Sequence, residues 1–256
     1  MAGTTEKENR QLKKRFEELA EKAYTENRFT FSDFLGMAEL ALFYDFLDEY
    51  GKTPYTVWGG YDGSERQMVR FGSTEELGYE VEFPIVCIKV VPLLKKFADE
   101  LSHRDFLGAL MNLGIERDTL GDILVQEREG YVFAQETIAD FIIENLTRVK
   151  HTAMRCERCE QPPAILKKEP VEKSIVTASC RADSILSKVY NLSRSQSLLL
   201  FQEKKVYVNG RVNENNSGLL KDGDVVAVRG YGKFIYRGIQ YENKKGKYCV
   251  LVGLYV

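Results

Sequence analysis

No stretch of this chain is apolar for long enough to cross a bilayer, which takes about 20 consecutive apolar residues in a helix. The N-terminal run MAGTTEKENRQLKKRFEEL mixes acids and bases where a secretory leader would place a charged tip before an apolar segment. Neither a membrane span nor a leader is therefore expected, and the expectation is a cytoplasmic protein with no membrane partner. Cysteine is sparse: Cys87, Cys156, Cys159, Cys180 and Cys249 are an odd number scattered over 256 residues. That excludes a disulfide framework of the kind small secreted domains use. There is no internal repeat and no low-complexity tract, and no Gly-Lys-Ser/Thr follows a glycine-rich loop, so a phosphate-binding P-loop is absent.

With 44% hydrophobic and 29% charged residues the composition is that of an ordinary globular protein, with room for two or three small domains. The formal net charge of -2 hides an asymmetry. From Ser174 onward there are 13 Lys and Arg against 6 Asp and Glu, which leaves 23 against 32 before it. The C-terminal third is thus the part suited to a polyanion, and the acidic N-terminal portion is suited to protein contacts.

The most informative stretch runs from Arg181 to Lys233. Ile185, Leu186, Val189 and Leu192 recur at helical spacing, and Ser193 with Gln196 has the S-x-x-Q form of a capping box that restarts a second helix through Gln202. Arg194 and Ser195 fall in its first turn, where unpaired N–H groups and the positive dipole end favour a phosphate. Asn209-Gly210, between Val206-Tyr207-Val208 and Arg211-Val212, is the dipeptide a type I′ hairpin turn prefers. Lys204, Lys205 and Arg211 flank that turn, and Arg229-Gly230-Tyr231-Gly232-Lys233 closes the run with cations among small residues. Val171 to Ser179 offers a strand leading in, and Phe234–Tyr241 with Lys247–Leu254 a terminal hairpin.

Earlier in the chain, residues 5–27 form an amphipathic helix whose stripe is Leu12, Phe16, Leu19, Ala20 and Ala23. A second helix is expected from Phe34 to Gly51 with Ser32 or Asp33 as its cap. Tyr55–Trp58 and Gln67–Phe71 read as strands joined by the loop Gly59 to Arg66, which serves either as a plain turn or as a ligand or RNA contact. After a polar break at 72–78 come a strand at 84–91, a helix at 102–113, strands at 121–125 and 131–133, a helix at 135–146 and a strand at 148–155. That order, β-α-β-β-α-β, is the split form of ferredoxin-like and RRM-like domains. Tyr131 and Phe133 share one face of their strand, either as base-stacking aromatics or as core.

Two short motifs invite chemistry. His103-Arg104-Asp105 pairs a base with a carboxylate, but Ser102 with Asp105 three residues on is better read as a helix cap. Cys156-Glu157-Arg158-Cys159 has metal-ligand spacing without a second cysteine or histidine pair, so its cysteines are read as incidental. No nucleophile, base and orienting group can be assembled from these pieces; we expect no catalytic residue, metal or cofactor.

The pieces Arg181-Ala182-Asp183, Leu192 to Gln196, Val206 to Gly210, Gly223 to Val226 and Val228-Arg229-Gly230 together resemble an S4 RNA-binding domain, a module also found in tyrosyl-tRNA synthetases and pseudouridine synthases. Ala182 stands where a larger aliphatic residue is usual and Lys204 where glycine is usual. With Phe31 to Leu35, Gly59-Gly60-Tyr61, Glu65-Arg66, Ser102 to Asp105, Leu107-Gly108, Leu113 to Ile115 and Gly121 to Ile123 added, nearly the whole chain resembles the YlmH family of bacterial S4-domain proteins. The resemblance implies an α+β chain: an N-terminal helical and β-hairpin region (1–75), an RRM-like middle domain (76–160), a linker rich in proline and charge (161–173) and a C-terminal S4 domain (174–256). It implies a non-enzymatic, ribosome-associated RNA-binding protein acting in quality control on large subunits obstructed by peptidyl-tRNA, with rRNA or tRNA as partner. The alternatives are a cell-division adaptor working through protein contacts and an rRNA- or tRNA-modifying enzyme. The RNA-binding residues expected are Arg181, Ser193, Arg194, Ser195, Gln196, Lys204, Lys205, Asn209, Arg211, Arg229 and Lys233.

Overall fold

The structure, a computed structural model, describes residues 2–51, 53–160 and 170–255. Of the expected connector at 161–173, residues 161–169 lie outside the described residues, while Val171 to Lys173 belong to a strand, Val171–Thr177. The chain divides into two compact units, residues 1–39 with 46–167 and residues 40–45 with 168–256. Among the described residues no helix is long and apolar enough to cross a membrane.

The first unit begins with α1 (Ala2–Thr25), whose stripe residues Phe16, Leu19, Ala20 and Ala23 are buried. The Thr30 hydroxyl donates to the Leu19 carbonyl at 2.7 Å and anchors β1 (Thr30–Phe31) beside that stripe. Strands β2 (Tyr55–Trp58) and β3 (Met68–Phe71) complete a three-stranded antiparallel sheet in the order β1-β3-β2. Helix α2 (Met37–Tyr50) starts later than its sequence suggests, because the expected cap is already engaged in this sheet. The Ser32 hydroxyl accepts from Val69 N at 2.9 Å, and Leu35 bridges to Gln67, so the chain stays extended until Gly36. There the Glu39 carboxylate accepts from the Gly36 N–H and starts the helix. A short α3 (Thr74–Leu77), capped by Ser73, occupies the stretch read as a polar break.

The five-stranded sheet that follows contains β4 (Ile85–Pro92), β5 (Leu120–Gln126), β6 (Glu129–Gln135), β7 (Arg148–Val149) and β8 (Thr152–Arg158). Its order is β5-β6-β4-β8-β7, all antiparallel. Helices α4 (His103–Asn112) and α5 (Glu136–Asn145) cover one face, where Phe106, Leu110, Ala139 and Ile142 pack on Ile88, Val90, Leu120, Val132 and Ala134. The single strand expected at 148–155 is a hairpin instead, turned by Lys150 at φ +52°. Helix α4 opens with the Ser102–Asp105 box read from the sequence: Asp105 accepts from Ser102 N at 2.8 Å and from its hydroxyl at 2.6 Å.

The second unit is built on a six-stranded antiparallel sheet in the order β11-β10-β12-β13-β14-β9. Its strands are β9 (Val171–Thr177), β10 (Val206–Val208), β11 (Arg211–Val212), β12 (Val225–Val228), β13 (Gly232–Glu242) and β14 (Tyr248–Tyr255). Strand alternation sends Val226, Val228, Phe234, Tyr236, Val250 and Val252 to one face, where they meet Ile185, Leu186 and Val189 of α6 (Ala182–Val189) and Leu200 and Phe201 of α7 (Arg194–Gln202). Asn209 and Gly210 have φ +51° and +79°, the pair of left-handed residues a type I′ turn requires.

Candidate nucleic-acid interface

In the second unit each helix start is built differently. The first-turn N–H groups of α6 are already satisfied: Ala182 N donates to Gly218 O at 2.9 Å and Asp183 N to Asn216 O at 3.0 Å. Arg181 forks onto Asp183, Nε to Oδ1 at 3.1 Å and Nη2 to Oδ2 at 2.8 Å. Asp183 is only 2% exposed and also accepts from Ser184 N and Asn216 Nδ2. The buried Ser197 hydroxyl donates to the Asp183 carbonyl at 2.7 Å and ties α7 to α6.

At α7 the Ser193 hydroxyl accepts from Gln196 N at 3.2 Å and Gln196 Oε1 accepts from Ser193 N at 2.9 Å. Both side chains are thereby spent on the cap. The N–H groups of Arg194 and Ser195 are the ones such a helix start leaves without an intrahelical acceptor. Both residues are exposed, and Ser195 Oγ lies 3.1 Å from Ser193 Oγ.

The remaining cations fall into separate groups. Arg229 N donates to Lys205 O at 2.9 Å, which continues the β10–β12 register (Val206 opposite Val228) and sets Lys205 and Arg229 across from one another. Two like charges so placed repel, and an anion between them would relieve the repulsion. Lys205 meanwhile pairs with Glu203 at 2.6 Å and Lys204 with Glu214 at 3.0 Å. These are exposed pairs worth little, and a phosphate can displace them. Arg211 lies at the far end of the hairpin, opposite Val208. Asn209 is structural: its amide donates to Asp224 at 2.8 Å and its oxygen accepts from Val225 N at 2.9 Å.

Lys233 is separated from Arg194 by the sheet itself. It lies opposite Ala227 and Tyr255, whose row faces away from the buried Val226, Phe234 and Val252, and its ammonium sits 4.5 Å from the Tyr255 ring centroid. The strand alternation that reveals this is legible in the sequence once the register is known. Among the described residues, Arg194 and Arg229 are the candidates whose side chains carry no ion pair or hydrogen bond. Asp183, quoted from the sequence only as part of the motif Arg181-Ala182-Asp183, and Asn216 were not among the expected binding residues.

The first unit carries a polar network of its own. Asp122 accepts from Tyr61 Oη at 2.7 Å, from Glu65 N at 2.7 Å and from Arg66 N at 3.1 Å, so the glycine loop is pinned to β5. Burial, followed by the charge of Asp122, pushes the Tyr61 hydroxyl far above its usual pKa. Arg66 donates to the carbonyls of Leu120, Phe34 and Arg117, and Arg117 to those of Leu120 and Gly121. Burial and the neighbouring Arg66 lower Arg117 to about 10. His103 is exposed at the start of α4, where partial desolvation and then Arg117 lower its pKa. Asp105 is committed to Ser102 and to Lys150, 3.1 Å away, which hold it down at about 2. His103 and Asp105, two residues apart in sequence, thus have different surroundings.

On the sheet face opposite α4 and α5 the aromatic side chains are buried. Tyr131 and Phe133 are 4% and 1% exposed, and Phe133 lies 4.9 Å from the Tyr61 ring. The stacking alternative for these aromatics is therefore excluded: they are core beneath the glycine loop. The two cysteines of Cys156-x-x-Cys159 lie on opposite faces. The Cys156 thiol donates to Leu146 O among the helix-side core, whereas Cys159 packs with Cys87, Tyr131 and Phe133. No cluster of His, Cys, Asp or Glu suited to a metal ion occurs among the described residues.

Residues 79–162, the five-stranded sheet with its two helices, match the model of a family described as "Putative RNA-binding domain in YlmH", which defines the class of the middle of the chain. The Ribosome-associated protein quality control protein P2 of Bacillus subtilis (strain 168) is 29% identical over 196 residues, 75% of this chain and 74% of that protein. These matches make the chain similar to proteins of the YlmH family. Among solved structures, the Cell division protein ylmH from Streptococcus pneumoniae matches at 23% identity with a TM-score of 0.49, covering 62% of this chain and 94% of that one.

Proposed function

We propose that this protein binds structured RNA on the ribosome without catalysing a reaction, and that its C-terminal unit, read as an S4 domain, makes the principal contact. The observation that carries this reading is the open start of α7. Arg194 and Ser195 present free first-turn N–H groups and an unpaired guanidinium within a unit that carries the chain's excess of positive charge. Lys205 and Arg229, facing one another at the strand end, form a second cationic pair in the same unit.

The relative's name supports quality control on the ribosome as the setting, and the large subunit obstructed by peptidyl-tRNA is the target we favour. The strand order β5-β6-β4-β8 with two helices on one face supports an RRM-like middle domain. Since its aromatic face is covered, that domain contacts RNA, if at all, by some other surface. The cytoplasm is the compartment this reading requires. The test is sedimentation of the full chain with purified ribosomal subunits: co-migration with large subunits, enriched when they carry peptidyl-tRNA, supports the reading. Migration at the top of the gradient in low salt overturns it. A modified nucleoside in rRNA or tRNA after incubation with S-adenosylmethionine, or without it, would instead identify an enzyme.

A further inference from the structure

Cys87 and Cys159 oppose each other directly. The β4–β8 register pairs Ile88 with Arg158, and one step further Cys159 N donates to Cys87 O at 2.8 Å. Both side chains project to the same face, into the small cluster with Tyr131, Phe133, Tyr61 and Ile85. Hydrogen-bonded antiparallel partners have Cα atoms about 5.5 Å apart. That separation lies within the range a disulfide spans, about 4.4 to 6.8 Å. Cys87 is 8% exposed, whereas Cys159 is half-buried and lines an open cavity of about 260 Å³ together with Gly60, Ile85, Phe133, Arg158 and Glu160. Cys87 lines the same cavity, and of the two thiols Cys159 is the more exposed to a small reagent entering it.

We propose that Cys87 and Cys159 form a reversible oxidation site, a dithiol that a peroxide converts to a disulfide joining β4 to β8. In the first step Cys159 Sγ, as its thiolate, attacks one peroxide oxygen. The O–O bond breaks, one water leaves and Cys159 becomes a sulfenic acid. Cys87 Sγ then attacks Cys159 Sγ, the S–O bond breaks, the S–S bond forms and a second water leaves with the Cys87 proton. Two thiols have lost two electrons and two protons, and one peroxide has been reduced to two waters. Burial and the neighbouring Cys159 push the Cys87 thiol far above its usual pKa, so Cys87 keeps its proton until the sulfenic acid stands against it. The bridge closes a long covalent loop containing α4 and α5, which restricts the unfolded chain and stabilises the sheet under the Gly59–Gly60 turn.

The test is thiol mapping of the reduced full-length protein exposed to a small excess of hydrogen peroxide at neutral pH. Remaining thiols are alkylated, the protein is digested without reductant and the peptides are weighed. The expected product is a peptide pair joining Cys87 to Cys159, lighter by two hydrogens than its reduced halves and separated again by dithiothreitol. Cys156, Cys180 and Cys249 should be alkylated. Cys156→Ser should leave the bridge intact and Cys159→Ser should abolish it, while the oxidised wild type should melt at a higher temperature than the reduced one. A bridge from Cys159 to Cys156, a Cys159 sulfinic acid beside an alkylated Cys87, or alkylation of both cysteines would overturn the proposal.

Discussion

Arg181 places two guanidinium nitrogens on the two carboxylate oxygens of Asp183, at 3.1 and 2.8 Å, and does so two residues away along the chain, across the start of α6. The carboxylate is buried and the guanidinium is 37% exposed, so Arg181 is held in one place while part of it still faces water. The fork has a stability consequence and a binding consequence, which can be measured apart.

Asp183→Ala removes the acceptor of Arg181, Ser184 N and Asn216 at once. We expect a loss of about 2 to 4 kcal/mol from the second unit, since several part-buried donors lose one charged, buried partner together. Arg181→Ala should cost less stability, because water can reach part of the carboxylate's surroundings, yet weaken RNA binding more than its stability loss explains. Urea titration of both variants beside filter binding checks the split.

Lys204 has φ +54°, the left-handed region where a side chain is strained. Its ammonium is engaged by Glu214. Lys204→Gly should therefore stabilise the protein by about 0.5 to 1 kcal/mol, relief of strain exceeding the extra entropy of glycine when unfolded. RNA affinity should change little. A destabilised or non-binding variant would place Lys204 among the essential contacts.

Gly60 has φ +97°, and a Cβ there would lie 2.4 Å from Phe133 Cδ1, a ring fixed in the core. Gly60→Ala should cost about 2 to 4 kcal/mol through combined overpacking and backbone strain. Gly63, with φ +88° and open space around it, should cost less on the same substitution. Thermal melts of the two variants compare them directly; equal losses would mean that the loop does not rest on Phe133.

His103 gives a pH dependence with a definite sign. Partial desolvation and Arg117 lower its folded pKa, while the unfolded residue takes up a proton near about 6.5. Between that pH and the lower folded value the unfolded chain binds more protons, so stability falls as pH drops through this window. His103→Gln should flatten the decline in melting temperature between about pH 7 and about pH 5.5. An unchanged slope would assign the decline to another group.

The sequence revealed elements where one residue pair sufficed and failed where a distant partner intervened. Asn209-Gly210 announces its turn because only left-handed residues fit it, and Ser193 with Gln196, like Ser102 with Asp105, announces its cap through contacts three residues apart. Ser32 looked like a cap too, but its hydroxyl is taken by Val69, 37 residues away. The hairpin at Lys150 gave no glycine to mark it. At the candidate interface the cations were legible as residues, yet not as a surface: the sheet puts Lys233 on the face opposite the helices, and capping consumes Gln196. The covering of Tyr131 and Phe133 by Tyr61 depends on a loop about 70 residues upstream, beyond any local pattern.

The measurement that bears most directly on the proposed RNA contact is the salt dependence of large-subunit binding by the full chain, for wild type, Arg194→Ala, Arg229→Ala and the double variant. Both side chains are exposed and the Ser193 cap remains, so all four should melt alike. We expect each substitution to weaken binding and to make the slope of log K against log salt shallower by about 0.7 to 0.9, with the double variant losing both increments. Four parallel lines of equal affinity would contradict the proposal and place the RNA on another face of the protein.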